Sequence, residues 1–151
     1  MKKILSMIMI AVMSVSAFAA KAEGGEISQQ VIRAFHKQFA NAKNIKWEEK
    51  GDHVKVEFSL NDQVFFAYYN NNGDLTAVVR NIISTQLPIK LLTELKSGYA
   101  DLWITDLFEV ASDNESTYYI TLEDADKKIV LRSSGTSGWQ EYARSKKESD
   151  Q

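Results

Sequence analysis

One feature constrains this chain more than any other: its hydrophobic period changes from four to two, and the change happens twice. Ile27, Val31, Phe35 and Phe39 recur every four residues, with Ala34 among them and Ala42 closing the series. Ser28, Gln29, Lys37 and Asn41 lie between, so the segment predicts an amphipathic helix with one buried stripe. Sixty positions later Leu87, Leu91, Leu95, Tyr99 and Leu102 stand at the matching places. Pro88 then matches Ser28, and both residue types suit a helix start. Gly98 marks the second helix end.

After each stripe the pattern alternates. Val54, Val56, Phe58 and Leu60 are interleaved with Lys55, Glu57 and Ser59, a half-buried strand. A turn at Asn61-Asp62 leads to Gln63–Tyr69, and a second turn leads to Leu75–Asn81. The second half offers strands at Trp103–Ala111, Thr117–Glu123 and Lys128–Arg132, with a short one at Trp139–Tyr142. Each half reads as a helix followed by three or four antiparallel strands. The expected architecture is α+β: two tandem repeats, about 27–83 and 84–142, whose strands form one curved antiparallel sheet with both helices on one face. Neither half holds enough core to stand alone, so residues 23–142 are expected to form a single domain. Residues 143–151 are charged and aperiodic, which predicts a frayed tail.

The first residues carry a different signal. Lys2 and Lys3 precede an apolar run from Ile4 to Phe18, and Ala17-Phe18-Ala19 supplies small residues for cleavage. This is the layout of a secretory signal peptide over residues 1–19, with a second cut available up to residue 22. The run is too short to span a bilayer. Export to the periplasm or the exterior follows, with no membrane insertion of the mature chain. The chain has no cysteine. That excludes disulfides, thiol nucleophiles, thiolate zinc sites and acylation at a cysteine, and leaves packing to stabilise the fold. With 18 basic residues against 20 acidic ones, and none of the basic residues gathered on one predicted face, nucleic acid is not an expected partner.

The stretch "YYNNNGDL", Tyr68 to Leu75, could be a fragment of a calcium loop or a bend between strands. Asn70, Asn71 and Asn72 carry no charge, no glutamate follows before Glu94, and Asn72-Gly73 is a hairpin signal. It reads as a turn. This hairpin, the "AFHKQFANAKNIKW" passage, the strand "VKVEFSL" and the helix opening "LPIKLLTEL" together resemble the PepSY-like proteins of the Gram-negative envelope. The fold of that family is similar to that of the β-lactamase inhibitor protein. Ser28 and Ala40 stand where proline is common in the family, and asparagines stand where the hairpin often has aspartates. The resemblance implies two αβ repeats on one curved sheet with helices on its convex side, and no catalytic residues. In the inhibitor the concave side grips a partner protein.

Catalytic chemistry finds little support. His36 falls on the polar side of the first helix and His53 in a turn, and no third ligand is suitably spaced for a metal. No serine sits in a nucleophile-elbow context. Glu48 and Glu49 are strand neighbours and point apart, which leaves Asp106 and Glu109 as the other carboxylate pair. Asn114-Glu115-Ser116 forms a chance sequon and marks an exposed loop. No catalytic residue, metal or cofactor is expected.

The aromatics are more informative. Trp47, Trp103 and Trp139 lie near strand ends, and Phe65, Phe66, Tyr68 and Tyr69 form a run whose alternate members face opposite sides. If Phe66 and Tyr68 pack under the helices beside Phe58, then Phe65 and Tyr69 point to the open face. One of Tyr118 and Tyr119 is exposed by the same parity. Phe65, Tyr69, Tyr119, Trp103 and Trp47 are therefore the candidate residues for binding an unknown protein partner. The competing assignment is that they only cover the sheet or pack on each other. Binding of a small ligand or peptide fragment is the alternative function.

Overall fold

The computed structural model describes residues 27–147; the expected signal peptide lies outside these residues. Ser28 caps the first helix, α1 (Gln29–Gln38), its hydroxyl oxygen accepting from the Gln30 N–H at 3.3 Å. Four strands follow: β1 (Lys43–Lys50), β2 (His53–Leu60), β3 (Gln63–Asn70) and β4 (Leu75–Asn81). A short 3₁₀ turn at Ser84–Gln86 leads through Pro88 into α2 (Ile89–Gly98). Four further strands complete the fold: β5 (Trp103–Ser112), β6 (Glu115–Glu123), β7 (Lys127–Ser133) and β8 (Gln140–Lys146).

The structure corrects the expected fold class. The described residues form one open eight-stranded antiparallel sheet in the order β1 to β8, and only two helices of ten residues each accompany it. Pairing does not pause where the two repeats were expected to meet. Val78 faces Ala111, Val79 faces Val110, Arg80 faces Glu109 and Asn81 faces Phe108 across β4 and β5. An α+β arrangement of two tandem repeats under a helical layer is thus replaced by a β-dominated one. The reason is one of length. A ten-residue helix is about 15 Å long, whereas eight strands at ~4.8 Å spacing extend over roughly 34 Å.

The expected tail is corrected as well. Arg144 faces Ile129 and Ser145 faces Lys128, so β8 continues to Lys146. Its side chains are all exposed, which is why no apolar period betrays it. β1 and β8 are the outermost strands, and both carry basic residues: Lys43, Lys46 and Lys50 on one, Arg144 and Lys146 on the other.

Tight turns set the register. Asn61 and Asp62 both have positive φ, 49° and 63°, as do Asp113 and Asn114, so each pair closes a two-residue hairpin. "YYNNNGDL" is the turn from β3 to β4. The Asn70 side-chain oxygen accepts from the N–H groups of Asn72 and Asp74 at 3.0 and 2.9 Å. Gly73 has φ +85°, and a Cβ there would stand 3.1 Å from the Gln30 carbonyl oxygen, so this hairpin presses on the start of α1.

Three apolar clusters hold the sheet. Val31 and Phe35 of α1 pack on Val54, Val56, Phe58 and Tyr69. Leu91 and Leu95 of α2 pack on Leu107, Ile120, Leu122 and Leu131. The third cluster holds Tyr68, Val79, Phe108, Val110, Tyr119 and Val130, and contains no helix residue. Each helix is also tied by polar contacts. The Tyr69 hydroxyl donates to Gln38 Oε1 at 2.6 Å. Trp139 donates its ring N–H to the Leu91 carbonyl at 3.0 Å and its backbone N–H to Glu94 at 3.0 Å.

Candidate functional site: a cleft on the helix-free face

The helix-free cluster lies on the reverse of β3 from α1 and on the reverse of β5 from α2. Tyr68 and Phe108 alternate along their strands with Tyr69 and Leu107, which belong to the two helix-covered clusters. Over this cluster opens a cleft of about 670 Å³. Its walls come from six consecutive strands, β3 to β8. Flat, those strands would extend over roughly 24 Å, so lining one cavity requires this face to be hollow. Register irregularities between β3 and β4, β5 and β6, and β7 and β8 supply local bends.

The floor is apolar and aromatic: Phe66, Tyr68, Val79, Phe108 and Val130. Phe108 and Tyr119 stack at 5.2 Å, and Tyr142 meets Tyr119 edge-on at 5.9 Å. Cations already rest on two rings of this face, Lys55 on Phe66 at 4.9 Å and Arg132 near Tyr119 at 5.8 Å. Burial, and secondarily the charge of Glu48, pushes the Tyr68 phenol up to about 12. It is therefore a neutral group at physiological pH.

Charge gathers at one end, where β5 begins and β6 ends. Glu123 accepts from Lys147 at 2.7 Å and from the Thr105 hydroxyl at 2.9 Å, and these donors hold its carboxyl below the usual range. Lys128 stands 3.7 Å from Glu123. Arg144 binds Glu141 through two contacts, 2.6 and 3.0 Å. Asp106 lines the same end, and desolvation raises its carboxyl despite the Leu107 N–H and the charge of Lys128.

The sequence-derived candidates divide. Phe65 and Tyr69 do not face the cleft, which corrects the parity read from the sequence. Phe58 faces Phe65 directly and Val54 faces Tyr69, so both aromatics pack in the α1 cluster. Burial pushes the Tyr69 phenol, too, up to about 12. Phe66 and Tyr68, expected under the helices, form the cleft floor instead. Trp47 packs edge-on against Phe35 at 5.1 Å and belongs to the α1 cluster. Tyr119 does lie on the helix-free face, but it is buried, only 2% exposed. Trp103 faces Glu123 across β5 and β6 and is 64% exposed at the charged end.

The titratable candidates scatter. His36 is exposed on α1, its ring 6.4 Å from Trp47, whereas His53 begins β2 with its ring 6.1 Å from Tyr68. His53 Nδ1 meets Asp52 at 3.1 Å, and its Nε2 is buried without a partner. Glu48 pairs with Lys50 at 2.7 Å and Lys55 at 3.5 Å. Asp106 and Glu109 point to opposite faces. Glu109 takes Arg80 at 2.7 and 2.8 Å and the Ser116 hydroxyl at 2.7 Å, and these contacts outweigh burial to hold its carboxyl below the usual range. Among the described residues no three His, Asp or Glu side chains could hold a metal together. Nor is any helix there long and apolar enough to cross a membrane.

No protein-family model matches the chain, and no curated protein matches it. Solved structures do. A BLIP-like protein from Bacteroides fragilis superposes with a TM-score of 0.72 at 22% identity, covering 85% of this chain and 94% of its own. A DUF2874 family protein from Bacteroides ovatus gives a TM-score of 0.71 at 16% identity, over 82% of this chain and 89% of its own. A Bacteroides eggerthii protein named as periplasmic gives 0.71 at 11% identity, over 81% and 90%. At these identities the likeness is one of fold. The protein has a BLIP-like fold.

Proposed function

We propose that this is an exported, non-enzymatic binding protein that receives a segment of a partner protein in the cleft of its helix-free face. The observation that carries the reading is the cleft itself: about 670 Å³ over an aromatic floor, lined at one end by charged groups. Export rests on the expected signal peptide, and the periplasm is its compartment, in keeping with the Bacteroides eggerthii protein of the same fold. The PepSY-like membership suggested by the sequence motifs belongs to this reading. The histidines and carboxylates are scattered, and the hydroxyls that donate to carboxylates, Ser116 to Glu109 and Thr105 to Glu123, have no histidine hydrogen-bonded to them, which supports binding over catalysis.

A variant that fills the cleft from its rim tests this without touching the core. Ala143 lines the cleft from the exposed strand β8. Ala143→Trp is expected to abolish cross-linking to the native partner in the cell envelope while leaving the melting transition in place. Capture of the same partner at wild-type yield by a folded Ala143→Trp protein would overturn the reading. A small amphipathic ligand is the second reading, favoured by the volume, which falls within the ~300–1,000 Å³ of small-molecule sites. Native mass spectrometry of the freshly purified protein checks it, a retained small molecule being the expected result.

A further inference from the structure

Charge accounting at the cleft singles out one residue. Glu123 is neutralised by Lys147 and Lys128, and Arg144 by Glu141. Asp106 lines the same cleft as an exposed carboxylate; the Leu107 N–H and the charge of Lys128 act on it, but among the described residues it has no ion-pair partner within 4 Å. It stands two residues before Phe108 on β5, and the even register from Asp106–Thr121 to Phe108–Tyr119 keeps both on one face. A carboxylate thus sits about 7 Å along the strand from an aromatic floor.

We propose that Asp106 selects the occupant of the cleft: a partner segment bearing a lysine or arginine beside a large apolar residue. This inference rests on the cleft being the binding site. The apolar neighbour seats on the floor of Phe66 and Phe108. The stem of the basic residue lies along the apolar wall, and its charged head reaches Asp106. Such a contact supplies the direct ion-pair partner that Asp106 lacks. The site's existing cations, Lys128 on β7 and Arg144 on β8, stand across the cleft and leave Asp106 on β5 as the favourable position for a positive head. An acidic segment has no corresponding place, because both cations are already paired.

Selection from a displayed library of random peptides tests the inference on the full mature chain, with Ala143→Trp, Asp106→Asn and Asp106→Glu beside it. The expected winners carry a basic residue within one or two positions of an aromatic or large aliphatic one. They bind Asp106→Asn roughly tenfold more weakly, and Asp106→Glu retains them. Winners without basic enrichment, or winners indifferent to Asp106→Asn, overturn the role of Asp106 and leave the cleft standing as the site. Winners that bind Ala143→Trp as well as the wild type overturn the cleft itself, and the inference falls with it.

Discussion

The two helix-covered cores solve the same packing problem with different chemistry. Beneath α1 the core is aromatic. Phe35 alone meets Phe39, Trp47, Phe58 and Tyr69 at centroid distances of 5.4, 5.1, 5.1 and 6.4 Å. Beneath α2 the core is aliphatic, with Leu87, Leu91, Leu95, Leu107, Ile120 and Leu122 sharing the contacts. Rings need defined edge-to-face angles, so an aromatic core concentrates its stability in one or two keystones. Branched aliphatic chains repack more readily, which spreads the cost of any single loss. One sheet therefore carries a brittle region and a forgiving one.

That contrast can be broken by mutation. Phe35→Ala removes the ring at the centre of four others and should cost about 4 kcal/mol. Leu91→Ala should cost less, about 3 kcal/mol, because its neighbours can close in. Urea unfolding of both checks the ordering, and a larger loss at Leu91 would refute the contrast. The gap should widen for gentler changes. Leu91→Met is expected to cost under ~1.5 kcal/mol.

Glu109→Gln probes the polar contact between β4 and β5 and should cost about 1–2 kcal/mol at neutral pH. Because the folded state holds the Glu109 carboxyl below its usual range, its contribution is present above the unfolded-state carboxylate range and fades as acid titrates the folded group. The wild type and Glu109→Gln should accordingly converge in stability at low pH. Tyr69→Phe deletes the tie from the aromatic core to Gln38 and should cost about 1 kcal/mol.

The smallest expected effect has the opposite sign. Asp106 is raised in the folded state, so its ionised form opposes folding. Asp106→Asn should leave the melting temperature unchanged or slightly raised at pH 7, an advantage that disappears once acid protonates the wild-type carboxyl. A clear loss of stability would mean that Asp106 holds the fold together rather than awaiting a ligand.

Much of this was legible in the residues. The apolar stripes place both helices, and Ser28, Pro88 and Gly98 stand at or near their ends. The alternation of Val54, Val56 and Phe58 marks the buried side of β2. What failed was the face assignment in β3, although the sequence held the means to correct it. A two-residue turn at Asn61-Asp62 sets Leu60 opposite Gln63, and counting outward sets Phe58 opposite Phe65. Composition around "FFAYY" cannot decide the face, because both sides of β3 are apolar; only the register does. Arg144 and Ser145, which line the cleft, were hidden for another reason. An exposed strand held by backbone pairing leaves no hydrophobic trace. Asp106 was visible as a carboxylate, and its odd spacing from Glu109 within the expected strand Trp103–Ala111 already separates the two onto opposite faces.

The unclosed sheet has a final consequence, which concerns self-association. Its first and last strands each leave a row of amide and carbonyl groups that another extended chain could dock onto, the route by which open sheets seed fibres. Lys43, Lys46, Glu48, Glu49 and Lys50 at one border and Glu141, Arg144 and Lys146 at the other place charged side chains along both rows. Two molecules meeting border to border would have to strip water from those charges. The charged flanks of the sheet thereby discourage one copy of the protein from pairing edge to edge with another.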